Sequence, residues 1–233
     1  MNLLAVVAHP DDASIFCGGT LAKHANRGDE VQILYMTRGE YGGGADLSEE
    51  EIATRREQEA REAAQVLGAS VSFMEFKDGR MQYSLENRRL LMDEIREVRP
   101  DLLLTHNEED PHPDHRVTSR LLSDAYYQAS LPRVESDHEV WDPENVFYFG
   151  RPSTEFYPDL YVDVSEVQDV KEKAVRQHKS QLAFLEDHEG IDSTFDDLID
   201  DVRVESRVYG RRSGVQYAEG FTSLKGTARD FLG

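Results

Sequence analysis

Leu3-Leu4-Ala5-Val6-Val7-Ala8-His9-Pro10-Asp11-Asp12 opens the chain with an apolar run that stops at a histidine and two aspartates. An unbroken apolar run of this length reads as a short strand buried on both faces, as parallel sheets require. Ligands of open α/β sheets bind at the carboxyl ends of strands, so His9, Asp11 and Asp12 arrive where chemistry is done. Pro10 fixes φ and removes a backbone donor, which stiffens the turn presenting them. A second stretch repeats the design: the apolar residues 101 to 105 lead to Asp110-Pro111-His112-Pro113-Asp114-His115. The two loops are expected to converge on one metal ion.

Outward from these strands the chain alternates. Residues 14 to 27 read as a helix that Gly28 can terminate, with Gly18-Gly19 permitting close approach to the sheet, and residues 31 to 36 as the second strand. Residues 37 to 44 form a glycine-rich loop without the lysine and hydroxyl residue of a phosphate-binding loop. Ser48 with Glu51 makes a capping-box pattern ahead of Ile52, Ala60, Ala63, Ala64 and Leu67, which predicts a helix over 49 to 67. A third strand at 71 to 74 leads to the turn Lys77-Asp78-Gly79-Arg80; Leu91, Ile95 and Val98, stopped by Pro100, predict the next helix. Val117, Leu121, Leu122, Ala125 and Ala129 predict another, with His115 before or within its first turn. This rhythm predicts a Rossmann-like, mostly parallel α/β sheet in the order 3-2-1-4-5 with helices on both faces. In that order the first and fourth strands are neighbours, and the two His/Asp loops face each other.

Beyond residue 130 the pattern predicts strands at 145 to 149 and 160 to 164 and a helix over 165 to 185, with Ala174, His178, Leu182 and Leu185 on its inner face. An exposed acidic stretch over 186 to 201 follows. Tyr209-Gly210, Gly214 and Tyr217-Ala218-Glu219-Gly220-Phe221 then predict a strand with loops covering one sheet edge. The organisation expected is one domain over 1–233 whose part from 130 onward shapes the substrate site.

A net charge of −20 and a pI near 4.7 argue against nucleic acid or an anionic membrane surface as the main partner, since both require a basic footprint. No apolar run nears the roughly 18 residues of a membrane span. The opening residues show neither the basic segment nor the cleavage site of a signal peptide, so a cytoplasmic location is expected. Cys17 is the single cysteine, which excludes an internal disulfide and a cysteine-based zinc site and suits a small core residue. A homo-oligomer stays open.

Catalytic zinc takes three protein ligands and keeps one position for water. His9, Asp12 and His115 can supply the three, with Fe2+, Co2+ or Mn2+ as alternatives to Zn2+ because such a donor set discriminates poorly. Asp11 is then the candidate general base for the attacking water, and His112 a protonated ring aimed at the oxyanion that later protonates the leaving amine. Asp114 is expected to hold an imidazole nitrogen. Of the other histidines, His24, His138 and His188 read as surface residues, His106 as loop support and His178 as a core histidine.

At this point the chain resembles the PIG-L/LmbE-like zinc-dependent de-N-acetylases. The matching pieces are Ala8-His9-Pro10-Asp11-Asp12, Gly18-Gly19-Thr20, Thr37-Arg38-Gly39-Glu40, Asp78-Gly79-Arg80-Met81, His112-Pro113-Asp114-His115, His178-Lys179-Ser180-Gln181 and Tyr217-Ala218-Glu219, in family order. The resemblance implies the same fold, the same zinc ligands His9, Asp12 and His115, Asp11 as base and His112 as oxyanion donor. It also puts Arg56 and Asp78 on the hydroxyls of an N-acetylglucosamine-type sugar. Many members carry Glu where this chain has Ala13. The expected activity is hydrolysis of the acetamide of a small amino sugar. Competing readings are an inactive or sugar-binding relative, another metal-dependent amidase, and a phosphoesterase, whose two-metal site needs more carboxylates at strand ends.

Overall fold

The computed structural model describes residues 1–43, 46–181 and 195–226. Seven strands make one sheet: β1 (Asn2–Val7), β2 (Glu30–Thr37), β3 (Ser70–Phe76), β4 (Leu102–His106), β5 (Asn145–Phe149), β6 (Leu160–Asp163) and β7 (Ala218–Ser223). Their order is β3-β2-β1-β4-β5-β7-β6, with the first five parallel, as the sequence predicts, and β7 antiparallel to both its neighbours. The helices with described bounds are α1 (Asp12–Arg27), α2 (Glu49–Leu67), α3 (Leu85–Val98), α4 (Pro113–Ala129), α5 (Gln168–Val175) and α6 (Phe195–Ser213), and residues 179 to 181 are helical as well.

β1 shows why its run is unbroken. Leu3, Ala5 and Val7 pack on one side with Cys17 and Leu21 of α1 and Ala60, Ala63 and Leu67 of α2. Leu4 and Val6 pack on the other with Leu91 and Ile95 of α3 and Leu121 and Leu122 of α4. With helices on both faces, a polar side chain pointing either way would be buried without a partner. The helix ends follow their sequence signals: Gly28 and Gly68 take left-handed caps with φ 91 and 75, and Ser48 with Glu51 completes the capping box. Gly19 lies against β6's flank, where a Cβ would meet Val164 Cγ1 at 2.7 Å.

The final third departs from expectation in three ways. The helix predicted over 165 to 185 is interrupted: α5 stops at Val175, residues 176 to 178 form a turn, and residues 179 to 181 are helical again. Glu59 of α2 accepts both the N–H and the hydroxyl of Ser180 at 2.9 and 2.7 Å, which satisfies a first-turn N–H where the chain turns helical again. Leu182, Leu185, His188 and the stretch 182–194 lie outside the described residues. The acidic stretch is not simply an exposed loop, since residues 195 to 201 begin α6, whose Ile199 and Val202 are buried against Ile15 and Val175. Tyr209 and Gly210 belong to that helix. Last, β7 does not cover an edge but inserts between β5 and β6. Its buried Glu219 accepts from the N–H groups of Gly19 and Thr20 and from Lys171 Nζ at 2.7 Å, tying β7 to α1 and α5.

Candidate metal centre and active site

β1 and β4 pair directly, so the loops after them meet. The β1 loop is held from below: Thr37 Oγ1 donates to the Ala8 carbonyl at 2.9 Å, and the Ala8 N–H donates to His106 Nε2 at 3.1 Å. His9 N–H donates to Asp12 Oδ2 at 2.7 Å, which folds the turn back on itself and opens α1 at Asp12. In the second loop His112 caps α4: its ring Nδ1 accepts the Asp114 N–H at 3.2 Å, with Pro113 at the first helical position. His115 therefore lies in the first turn of α4, aimed at β1.

The donor atoms close on one another. His9 Nδ1 and His115 Nε2 are 3.3 Å apart, and the Asp12 carboxylate reaches His9 Nδ1 with Oδ2 at 3.3 Å and His115 Nε2 with Oδ1 at 3.2 Å. A tetrahedral zinc with bonds of about 2.0 Å spaces its ligand atoms by about 3.3 Å, so this donor set fits such an ion. Overlapping triads in the same cluster are His9–His112–His115, Asp12–His106–His115 and His9–Asp78–Asp114.

Each imidazole has its far nitrogen held by a carboxylate. His9 Nε2 lies 3.2 Å from Asp78 Oδ1 and 3.4 Å from Asp114 Oδ2, and His115 Nδ1 lies 2.9 Å from Asp110 Oδ1. Once the rings are neutral, carboxylates there favour the proton on the far nitrogen, which would leave His9 Nδ1 and His115 Nε2 free to ligate a metal. Asp110, to which the sequence reading gives no role, also accepts the His112 N–H at 2.8 Å; its place within the quoted cluster was the available signal. Glu40 was likewise missed: buried, it accepts the Asp78 N–H and lies 3.5 Å from Lys77 Nζ, which sets the turn bearing Asp78.

Asp11 sits beside the cluster, its Oδ1 accepting from Arg56 Nη2 at 3.0 Å. Arg56 is buried in α2 and also donates to the Gly39 carbonyl at 2.9 Å. This explains the glycine-rich loop: Gly39 has φ +68 and a Cβ there would lie 2.6 Å from Arg56 Cζ, while one at Gly42 would collide with Arg56 and Gln181. Above these groups opens a cavity of about 510 Å³, lined by all seven residues singled out in the sequence, His9, Asp11, Asp12, Arg56, Asp78, His112 and His115. Phe16, Tyr41, Arg151 and Gln181 are among the other residues of its wall.

Burial opposes charge on His9 and His115, yet the carboxylates win: Asp12, Asp114 and Asp78 raise His9 well above the ordinary histidine value, and Asp12 and Asp110 raise His115 to about 9. Burial would likewise raise Asp12, but the imidazoles of His115, His106 and His9 hold it well below the carboxylate range. His106, buried and stacked on His115 with centroids 3.8 Å apart, is pushed down to about 4 by burial and then by His115, so it is a neutral support for Ala8. His112 moves down as well, from burial and then from the charges of His9 and His115. That direction disfavours the protonated ring expected from sequence, and with Nδ1 accepting from the Asp114 N–H a neutral ring carries its proton on Nε2. His178 is buried and meets Ser14 Oγ at 3.1 Å, a satisfied core histidine.

The family profile described as PIG-L, GlcNAc-PI de-N-acetylase, matches residues 4–126, which contain every element of this site except Arg151 and Gln181. The chain belongs to the PIG-L family. It is 33% identical over 236 residues to diacetylchitobiose deacetylase of Thermococcus kodakarensis, covering 97% of this chain and 84% of that protein. A crystal structure of a conserved protein from Thermus thermophilus superposes with a TM-score of 0.85 at 31% identity, covering 97% of this chain and 96% of that one. The PIG-L relatives also include 4-oxalmesaconate hydratase of Pseudomonas putida, 30% identical over 185 residues, covering 75% of this chain and 72% of that protein. No helix among the described residues is long and apolar enough to cross a membrane.

Proposed function

We propose that the protein hydrolyses the acetamide of a small N-acetylglucosamine-type sugar, releasing acetate and a free amine, with a divalent metal, zinc first, held by His9, Asp12 and His115. The observation that carries this reading is the meeting of two imidazole nitrogens and a carboxylate at 3.2 to 3.3 Å, in one cavity with Asp11 and His112. A divalent ion at these donors supplies Lewis acidity toward the acetyl carbonyl and lowers the pKa of the attacking water. Asp11 accepts that water's proton through the carboxylate oxygen that Arg56 does not engage. His112 donates its Nε2 proton toward the carbonyl oxygen as charge develops there, while Asp114 fixes the ring through Nδ1. Asp11, once protonated, is the group that can pass a proton to the departing amine. Asp78, and Arg56 where it lines the cavity, are the groups assigned to the sugar hydroxyls. The cellular setting proposed is cytoplasmic.

The test is acetate release by metal-loaded protein over N-acetylglucosamine, its oligomers and glycosides, and acetylated peptides. Turnover of the sugars with peptides inert is the expected result; turnover of peptides alone refutes the substrate class. A hydratase is the second reading, favoured by the likeness to 4-oxalmesaconate hydratase, because a base beside an activated water can also add that water to a polarised double bond. Loss of the ultraviolet absorbance of an unsaturated oxo-diacid, without acetate release from any acetamido sugar, would decide for it.

A further inference from the structure

The family-matched span ends at residue 126, and among the described residues only Arg151 and Gln181 from beyond it line the cavity. Of these Arg151 carries charge. It follows β5, whose Phe149 stacks on Phe16 of α1 with centroids 5.2 Å apart. The guanidinium carbon lies over the same Phe16 ring at 5.2 Å, and Nη1 donates to Glu205 Oε1 of α6 at 3.3 Å. Both props are fixed by the fold, yet the side chain stays 33% exposed. The arginine is therefore held in place without being enclosed.

The charges around it are unevenly matched. Asp11 takes Arg56, Asp12 and Asp78 face His9, and Asp110 faces His115. Arg56 is turned inward and buried, with its donors on Asp11 and the Gly39 carbonyl. Arg151 makes one hydrogen bond, and its other N–H groups have no partner among the described residues. Its one partner, Glu205, engages a single nitrogen, Nη1, and leaves the rest of the guanidinium edge open toward the cavity that Arg151 lines. A planar guanidinium with a free edge beside a metal centre suits a group with paired, charged oxygens better than a single hydroxyl.

We propose that Arg151 is a specificity-determining residue of this site, and that the acetamido sugar it favours carries an anionic substituent, a phosphate or a carboxylate, which pairs with the guanidinium. The proposal rests on the deacetylase reading above. It assigns selectivity to the part of the chain outside the family-matched span, while the reacting groups stay within it.

The experiment compares methyl N-acetylglucosaminide with N-acetylglucosamine 1-phosphate, the 6-phosphate and carboxymethyl N-acetylglucosaminide. Each is presented to metal-loaded wild type, Arg151→Gln and Arg151→Lys. Acetate release gives kcat/KM, and calorimetry gives Kd for the corresponding amines. In the wild type at least one anionic compound should exceed the neutral one by about 10- to 100-fold, the range of a charge-assisted hydrogen bond. That ratio should fall toward one in Arg151→Gln and be kept in part by Arg151→Lys, which retains the charge but not the fork. The phosphate and carboxymethyl arms tell which anion is recognised. A wild-type ratio near one, or a ratio that Arg151→Gln leaves untouched, overturns the proposal. Failure of the deacetylase reading looks different: no compound releases acetate, and the Kd ratio alone then decides whether Arg151 selects the anion.

Discussion

Raising the pH of the metal-free protein tests the donor cluster directly. His115 stands at about 9 against an ordinary 6.5, because Asp12 and Asp110 outweigh its burial. A folded value above the unfolded one means that the protonated ring stabilises the fold fully below pH 6.5, and that this contribution is lost as pH rises through about 9. The gap of about 2.5 units corresponds to about 3 kcal/mol, with little solvent screening for a side chain only 9% exposed. His9 shifts in the same direction and adds to the effect. Metal uptake needs neutral imidazoles, so at pH 7 the ion must displace the His115 proton at a cost of about 3 kcal/mol, on the order of a hundredfold in affinity. Calorimetric titration with Zn2+ in buffers of different ionisation enthalpy should therefore show one to two protons released per ion at pH 7, and affinity rising about 10- to 100-fold from pH 7 to 8. Thermal melts of the metal-free protein should fall between pH 6.5 and 9, and those of the loaded protein should stay level. No proton release, together with a metal-free melting temperature that does not fall over that range, would refute the reasoning.

Asp11→Asn should keep the metal and the fold and lose about 10²- to 10⁴-fold in turnover, because an amide cannot take the water's proton; near-normal turnover assigns the base elsewhere. His112→Ala should lower turnover by about 10²- to 10³-fold with metal content intact, and metal loss in that variant would place His112 among the ligands. Glu219→Gln should destabilise the fold by about 3 to 5 kcal/mol in urea melts, since it strips the partner from a buried Lys171. A melt unchanged within about 1 kcal/mol would show that water reaches the pair.

The sheet order, the helices on both faces and the two reactive loops were legible in the sequence because each rests on local pattern. Unbroken apolar runs have no solvated face to alternate toward, and Gly28, Gly68 and Ser48 mark their helix ends by backbone and capping chemistry alone. His9, Asp11, Asp12, His112 and His115 line one cavity because β1 and β4 are neighbours, an adjacency that follows from the strand order, and Arg56 of α2 and Asp78 after β3 reach it from the other side of β1. What the tertiary structure decided lay in contacts between distant residues. Glu59 takes the N–H of Ser180, more than a hundred residues away in sequence, just after the break that follows α5, and no local signal near residue 176 announces that break. α6 was hidden by its acidic residues, although Ile199, Val202 and Tyr209 share a buried side; a helix so charged shows its apolar side only when a surface exists to cover it. The raised pKa of His9 and His115 depends on Asp12, Asp78, Asp114 and Asp110, and the lowered pKa of His112 on burial and those two neighbouring charges. Residue identity names the groups that can ligate or move a proton, but their protonation follows from a field that exists only after the chain has closed around them.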